Sequence, residues 1–486
     1  FAVIAALVLA AKQYVVILYA ALRAIAFLFA LIELNARESS QLKISWIIFL
    51  FTFPGIALVI FAISNLGKEK DRLGIKFKKI AKRQSSILRQ DAVDYFNAAA
   101  CDEWLGTFSK YIYDSSHYPV YSCEETVFFT EGDEWYQDFR HALIKAERFI
   151  FLDYFQVERG EVLDDIISVL AYKAAHGVEV RFLYDGYNKF KNLPYNFADK
   201  LNKKGIKCRV FNPVKPYIDL SVRLRDHHSL AVIDGNIAYT GSAAIADAWI
   251  TGNKKSGYRK DGVLKICGKP AESFSMAFLK MWSLYDNKLE DFVPYMNAEP
   301  KGFPQGYCIP FEANPFLDSH MYENIYLDII YKSRNYVFIS SDTFIPTEEI
   351  LTAVKYAAKR GIEVVLLLPK NPSGLYSGAI TMSYYSELLE AGVNIYLYNR
   401  GDLNASILLS DDITGVVGSA SICFSGLFRR FESGAFIYDN EVLMQIRDNF
   451  EKMLEDSVQL SHNYYKKMSV ITKAFGKICR VFSPLV

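Results

Sequence analysis

One string in the middle of this chain is written twice. Asp226-HHSLAVIDGNIAYTGSAAIADAW and Leu403-NASILLSDDITGVVGSASICF align so that three pairs stand 177 residues apart: His227 and Asn404 (404 − 227), Asp234 and Asp411 (411 − 234), Gly241 and Gly418 (418 − 241). A spacing held at three points without a gap marks an internal duplication, which limits the fold more than composition does. The flanks repeat as well. Arg148-FIFLDYF and Asn335-YVFISSDTF read as buried strands rich in aromatic and aliphatic residues. Helical stretches follow from Val162 to His176 and from Glu349 to Arg360, stopped by Gly177 and Gly361. AAHGVEV and AAKRGIEV then lead into the strands Val178-EVRFLYD and Ile362-EVVLLLP, and Lys203-KGIKCRVF pairs with Glu390-AGVNIYLY. Strand, helix, strand predicts parallel βαβ units with right-handed crossovers. Two copies predict an α/β chain with two mixed β-sheets flanked by helices and facing each other, joined through the proline and polar clusters from Pro294 to Pro310.

The amino-terminal part differs in kind. Phe1 to Ala11 is wholly apolar, Lys12 and Gln13 follow, and a long apolar run from Tyr14 to Leu34 is interrupted by Arg23. Trp46 to about Ile63 carries no charge. Two runs near spanning length, with the end of a third ahead of them, favour membrane segments over a signal peptide or buried core helices. Lys68, Lys70, Arg72, Lys76, Lys78, Lys79, Lys82 and Arg83 come next, against only Arg37 and Lys43 in the preceding loop. By the positive-inside rule everything after residue 66 is cytoplasmic, so the expected location is the cell membrane with several passes. The same basic stretch favours anionic lipid headgroups. A formal net charge of +1 argues against nucleic acid as a partner. The seven cysteines form no CxxC pair, so neither a zinc site nor a disulfide framework is supported. The expected organisation is transmembrane segments in 1–66, a basic juxtamembrane connector in 67–115, a first half in 116–293, a linker in 294–310, a second half in 311–462 and a basic amphipathic tail in 463–486.

The paired strings resemble the HxKxxxxD…GSxN motifs of the phospholipase D superfamily. The words FIFLDYF, GIKCRVFNP, VIDGNIAYTG, ENIYLDII, AAKRGIEV, YYSELLEAGV and RRFESGAFIYD resemble the bacterial cardiolipin synthases over nearly the whole chain. The resemblance implies a duplicated phospholipase D-like fold preceded by transmembrane helices. It implies a two-step phosphodiester exchange: one His attacks phosphorus to give a phosphohistidine, the other protonates the leaving alcohol, and a second alcohol displaces the enzyme. Paired Lys and Asn side chains would hold the phosphoryl oxygens, and the motif Asp residues would orient the rings. Two phosphatidylglycerols would give cardiolipin and glycerol, with no metal or organic cofactor. The implied partners are the membrane and anionic phospholipids (phosphatidylglycerol and cardiolipin), with a homo-oligomer or association with an intact synthase as further expectations.

The chain departs from that pattern. His227 stands in the nucleophile's place with Asp234 behind it, but Ser229 occupies the Lys position and Ala244 the Asn position. In the second motif Asn404 replaces His, Ser406 replaces Lys and Ser421 replaces Asn; Asp411 remains. Gly241-Ser242 and Gly418-Ser419 are expected to line a substrate site. Asn cannot shuttle a proton, so phosphatidyl transfer is expected to be strongly impaired or absent, leaving a degenerate lipid-binding protein, a slow transferase with a rebuilt site, or a partner of an intact synthase.

Further candidates stay open. Glu432 is either a hydrogen-bond partner inside the site or a salt-bridged carboxylate. His228 is a weak candidate base, because neighbours on a strand face opposite ways, and Asp185 stands past a strand end where either a turn or a ligand site fits. Lys466-KMSVITKAFGKICRVFSPLV holds five basic and no acidic residues, with Val470, Phe475, Ile478 and Phe482 at roughly helical spacing. It reads as an interfacial helix on an anionic leaflet, or as a helix packed on the main domain.

Overall fold

A computed structural model describes Ala2 to Leu485, with 37–38, 66–67, 189–191, 215–223, 251–257, 287–289, 297, 299–303, 318–319 and 373 outside the described residues. For 2–13, 62–71 and 249–250 only the backbone is described. Phe1, Arg37, part of the expected linker and the side chains of Lys68 and Lys70 therefore lie outside the description.

Both copies of the repeat fold as mixed sheets. In the first, Phe149–Tyr154 runs parallel to Glu179–Asp185, which runs parallel to Lys207–Phe211. On its other side Phe149–Tyr154 meets Ser229–Ile233, Ile237–Gly241, Val263–Cys267 and Thr126–Phe129 in antiparallel succession, giving seven strands. The second copy repeats the plan in nine strands: Tyr336–Ser340, Glu363–Pro369 and Asn394–Tyr398 are parallel, and Ser406–Ser410, Thr414–Gly418, Glu432–Tyr438 and Tyr307–Ala313 continue antiparallel. Ser457–Gln459 and Tyr121–Ser122, the latter from the segment expected in the first half, form the two edges. The helices Glu161–Ala175 and Glu348–Lys359 cross over between the parallel strands. Each stops at the expected glycine, where φ is +90° at Gly177 and +92° at Gly361. Tyr307 to Pro310, expected in the linker, already belong to a strand, Pro310 lying opposite Ala435.

The halves are held together by exchanged helices. Pro270–Ser283 follows the first sheet, is buried along nearly all its length, and packs on Tyr307–Ala313 of the second. Val442–Glu455 follows the second sheet and packs on Thr126–Phe129 of the first. The buried helix carries Lys280, whose ammonium meets Glu312 at 2.5 Å, Gln84 at 2.8 Å and Tyr118 at 3.0 Å, so its charge is paired within the core. The basic segment after the amino-terminal apolar region forms the helices Lys68–Ile87, Ala92–Cys101 and Glu103–Ser116. Leu73, Phe77, Ile80, Leu105, Phe108 and Ile112 from these helices sit in the main core.

The amino-terminal segment corrects one expectation. The two apolar runs flanking Lys12 and Gln13 are one helix, Ala2–Leu34, because Lys and Gln are good helix formers and do not break backbone hydrogen bonding. Tyr14–Leu34 is long and apolar enough to cross a membrane by length and composition. The uncharged stretch beyond it is divided at Pro54 into Ser40–Thr52 and Pro54–Asn65, of 13 and 12 residues, each too short to span alone.

Candidate active site

The two motifs meet across the boundary between the halves. Just before the strand Ser229–Ile233, Asp226 makes a parallel bridge with Phe431, and the His227 amide donates to the Phe431 carbonyl at 2.9 Å. The second half mirrors this arrangement. Gly401–Leu403 pairs in parallel with Tyr258–Lys260, and the Asn404 amide donates to the Lys260 carbonyl at 2.9 Å. The residue after each carbonyl is an acid from the other half, so Glu432 faces His227 and Asp261 faces Asn404. The GS serines complete the symmetry: Ser419 Oγ donates to Glu432 Oε2 at 2.5 Å, and Ser242 Oγ to Asp261 Oδ1 at 3.3 Å. Gly241 and Gly418 allow the close approach. A Cβ on Gly241, where φ is +149°, would lie 2.1 Å from the Gly262 carbonyl, and one on Gly418 would lie 2.1 Å from the Tyr322 hydroxyl.

Between the motif turns lies a cavity of about 400 Å³, with His227, Asn404, Ser242, Ser419, Arg259 and Arg430 on its walls. His227 is mostly buried and stacks on Phe155, with ring centroids 3.6 Å apart at 19°. Burial, followed by the charges of Arg430 and Arg225, pushes its pKa well below the ordinary value, so the ring is neutral and keeps a lone pair. Glu432 is fully buried, which raises its pKa to about 8 against the pull of Arg430 and Ser419. Its Oε1 lies 3.7 Å from His227 Nδ1, beyond hydrogen-bond reach. Asp261 is raised by burial to about 7.

The replaced positions are occupied in ways that leave the motif chemistry incomplete. Asn404 Nδ2 donates to the Ser242 carbonyl at 2.7 Å and to Asp261 at 3.0 Å, so its amide is spent on the scaffold. Ser229 donates to the Ala243 carbonyl at 2.6 Å and Ser406 to the Ala420 carbonyl at 2.5 Å, committing both hydroxyl protons to backbone. Ala244 offers the cavity no polar side chain, while Ser421 lines it beside Asp342. One neutral imidazole therefore faces the cavity with no titratable proton donor in the mirror position.

The structure does not bring Asp234 and Asp411 to the cavity. Each sits at the far end of its strand with a left-handed backbone, φ +54° and +57°. Asp234 accepts the amides of Glu147, Arg148 and Phe149 at 2.7–2.9 Å, and Asp411 those of Arg334, Asn335 and Tyr336 at 2.8–2.9 Å. They anchor the strand entrances, and the carboxylate facing His227 is Glu432 instead. His228 turns away from His227 and is fully buried, 2.9 Å from Asp226 and 3.3 Å from Asp153. Burial opposes its charge, but the two carboxylates outweigh that and push its pKa well up. Among the described residues these three are the group whose donor atoms stand close enough to hold a metal ion. The ring carries one charge against two carboxyl groups, and burial together with Asp226 pushes the Asp153 carboxyl well up, so the group is closed on itself. Asp185 accepts the amides of Tyr187 at 2.7 Å and Asp226 at 3.0 Å and pairs with Arg225 at 3.1 Å, so it fixes the approach to the motif. Burial raises its pKa to about 7.

Paired motif turns from duplicated mixed sheets, meeting at one cavity, define a phospholipase D-like protein. A family model described as "Cardiolipin synthase, PLD-like domain" matches residues 326–454. The chain is 30% identical to cardiolipin synthase 2 of Bacillus cereus, covering 74% of this chain and 71% of that one. It is 28% identical to a cardiolipin synthase of Geobacillus sp., covering 95% and 92%, and 30% identical to an uncharacterized protein of Streptococcus mutans, covering 93% and 98%. A crystal structure of a phosphatidylserine synthase from Haemophilus influenzae shares the fold, with a TM-score of 0.59 at 13% identity over 78% of this chain and 98% of that one. The chain belongs to the cardiolipin synthase family.

Proposed function

We propose that this is a membrane-attached family member that binds phospholipid headgroups and whose phosphatidyl transfer is strongly impaired or absent. The observation that carries the reading is the state of Asn404. It stands where the resemblance expects the second His, its amide is held by Ser242 and Asp261, and it has no proton to give a leaving alcohol. Losing a general acid costs roughly 10²–10⁴ in rate. Losing one anion-stabilising donor costs on the order of 10²–10³, although such losses do not add within one site. The commitment of Ser229 and Ser406 to backbone carbonyls supports the same reading.

A slow transferase is the second reading, and it rests on His227: a neutral imidazole beside a carboxyl whose pKa is about 8 retains a nucleophile's protonation state. Incubation of the detergent-solubilised chain with labelled phosphatidylglycerol separates the two. No cardiolipin or glycerol above the His227→Ala background is expected. Turnover at an enzyme's ordinary rate, lost in His227→Ala, would overturn the impaired reading.

Membrane attachment is supported at both ends of the chain. Tyr14–Leu34 packs on the kinked Ser40–Asn65 pair around Leu50 through Ala26, Ala30 and Ala57, small residues that allow close helix approach, which favours more than one crossing. The helix Val470–Arg480 packs one face on Leu375–Ala391, where Arg480 pairs with Glu387 at 2.5 Å. Val470, Ile471, Phe475 and Ile478 remain exposed beside Lys473 and Lys477. Phe482, beyond the helix end, packs on Phe49, so the tail lies against the amino-terminal helices with an apolar, basic face suited to an anionic leaflet.

A further inference from the structure

Two arginines on the cavity wall occupy mirror positions in the duplicated frame. Arg259 stands two residues before Asp261, and Arg430 two residues before Glu432. The acids face the two motif positions from opposite sides, so the arginines flank the same cavity from opposite sides. Arg259 meets Asp402 at 3.3 Å across the short parallel pairing, an ion pair whose carboxylate is half exposed and therefore weak. Arg430 is partly buried, and its side chain makes no hydrogen bond or ion pair with any described residue. A guanidinium is always charged and presents five N–H donors in a fixed fork that fits two oxygens of a phosphate. Left unpaired on a cavity wall, it calls for an anion.

Asp402 on the wall is taken by Arg259, and the other acids near the cavity do not supply one to Arg430. Neither Glu432 nor Asp342 makes an ion pair with Arg430, and the Glu432 carboxyl, raised to about 8, is largely protonated at neutral pH. Glu158 accepts from its own neighbour Gln156 at 2.7 Å. His227 is neutral, and His228 is turned away and held between Asp153 and Asp226. Arg430 is the cation left facing the space among the described lining residues, and Arg259, paired with Asp402, stands opposite it on the wall. A cavity of about 400 Å³ is of headgroup size and too large for a single water-filled gap.

We infer that Arg259 and Arg430 form an anion clamp that holds a phosphate group in the cavity, taking over the holding role that the resemblance assigns to Lys at positions 229 and 406. The ligand class is a phosphate oxyanion, carried either by a phospholipid headgroup or by free phosphate. This inference rests on the headgroup-binding reading above, but it requires no turnover.

The test is calorimetric titration of the detergent-solubilised full chain with dihexanoyl-phosphatidylglycerol, inorganic phosphate and, as a phosphate-free control, dihexanoylglycerol. The phosphate-bearing lipid is expected to bind and the control is not. Arg430→Gln and Arg259→Gln should each weaken binding by about tenfold or more, the loss of a charged hydrogen-bond donor. Arg430→Lys should keep part of the affinity as a point charge without the fork. Competition by inorganic phosphate would assign the site to free phosphate, and lack of competition to the headgroup; either result keeps the clamp. Unchanged affinity in the double Gln variant with an unaltered melting curve, or no binding of either phosphate probe to the unmodified chain, overturns it. Turnover of phosphatidylglycerol with the clamp intact would sink the impaired reading alone.

Discussion

The two halves share a scaffold and differ in what they place inside it. Asp234 and Asp411 anchor strand entrances with three backbone amides each, and Ser229 and Ser406 each donate to the carbonyl after a GS pair. At the motif turn the likeness ends. The first half holds Asp226, His227 and His228 where the second holds Leu403, Asn404 and Ala405. Asp153 pairs with Leu230 and Ser340 with Ile407, again 177 apart (407 − 230), so the buried acid of the first half is a neutral serine in the second. A fold needs its strand anchors and close-approach glycines in both copies. A two-histidine phosphoryl transfer needs its chemistry in both copies, and only one copy has a histidine at the cavity.

Erasing the difference is the most drastic test. Asn404→His combined with Ser229→Lys and Ser406→Lys restores an acid and two phosphate-holding cations, and cardiolipin formation should rise by at least about 10²-fold over the unmodified chain. No rise would mean that the contrast at these positions is not what limits catalysis. The charged interior of the first half supplies the next largest effect. His228→Ala leaves Asp153 and Asp226 buried without their cation and should cost about 3–5 kcal/mol in denaturant unfolding. Ser340→Ala at the matching place in the second half removes one hydrogen bond, to the Ala405 carbonyl at 2.8 Å, and should cost about 1 kcal/mol. Comparable costs would break the contrast.

Where the halves agree, substitutions should agree too. Asp234→Ala and Asp411→Ala each strip three backbone amides of their acceptor and should each cost about 2 kcal/mol, with headgroup binding in the cavity unchanged. The last test is in pH dependence. Glu432 ionises near 4.3 in an unfolded chain and at about 8 when folded. Below the lower value both states are protonated; as pH rises toward the upper one, ionisation favours unfolding, so stability contributed by the protonated form is lost across that window. Glu432→Gln should therefore flatten the fall in melting temperature between pH 5 and 9, in part only, because Asp261 and Asp185, both about 7, titrate in the same window. An unchanged slope would place the Glu432 ionisation elsewhere.

Much of this architecture is legible in the sequence because the duplication keeps one register. Strands, crossover helices and the Gly177 and Gly361 stops all follow from periodicity and turn chemistry, and His227, Asn404 and both GS pairs do meet. Asp261 and Arg259 escape such a reading because the first copy is longer after its GS pair: Asp261 comes 19 residues after Ser242 (261 − 242), Glu432 only 13 after Ser419 (432 − 419). The repeated word, an arginine two places before an acid, is the signal that could have found them. Asp234 and Asp411 mislead for a geometric reason: seven residues along an extended strand carry a side chain about 23 Å from its neighbour in the motif. The amino-terminal helix misleads because Lys12 and Gln13 interrupt hydropathy without interrupting a helix.

The proposed impairment means that a lone His227, faced by Asn404, does not carry phosphatidyl transfer through its first step at a useful rate. Mass spectrometry of the intact chain after incubation with phosphatidylglycerol tests this directly, because a phosphatidyl adduct on His227 would precede any product. No adduct, with anionic lipid still bound, is the predicted result. An adduct that accumulates in the unmodified chain and disappears in His227→Ala would contradict the claim.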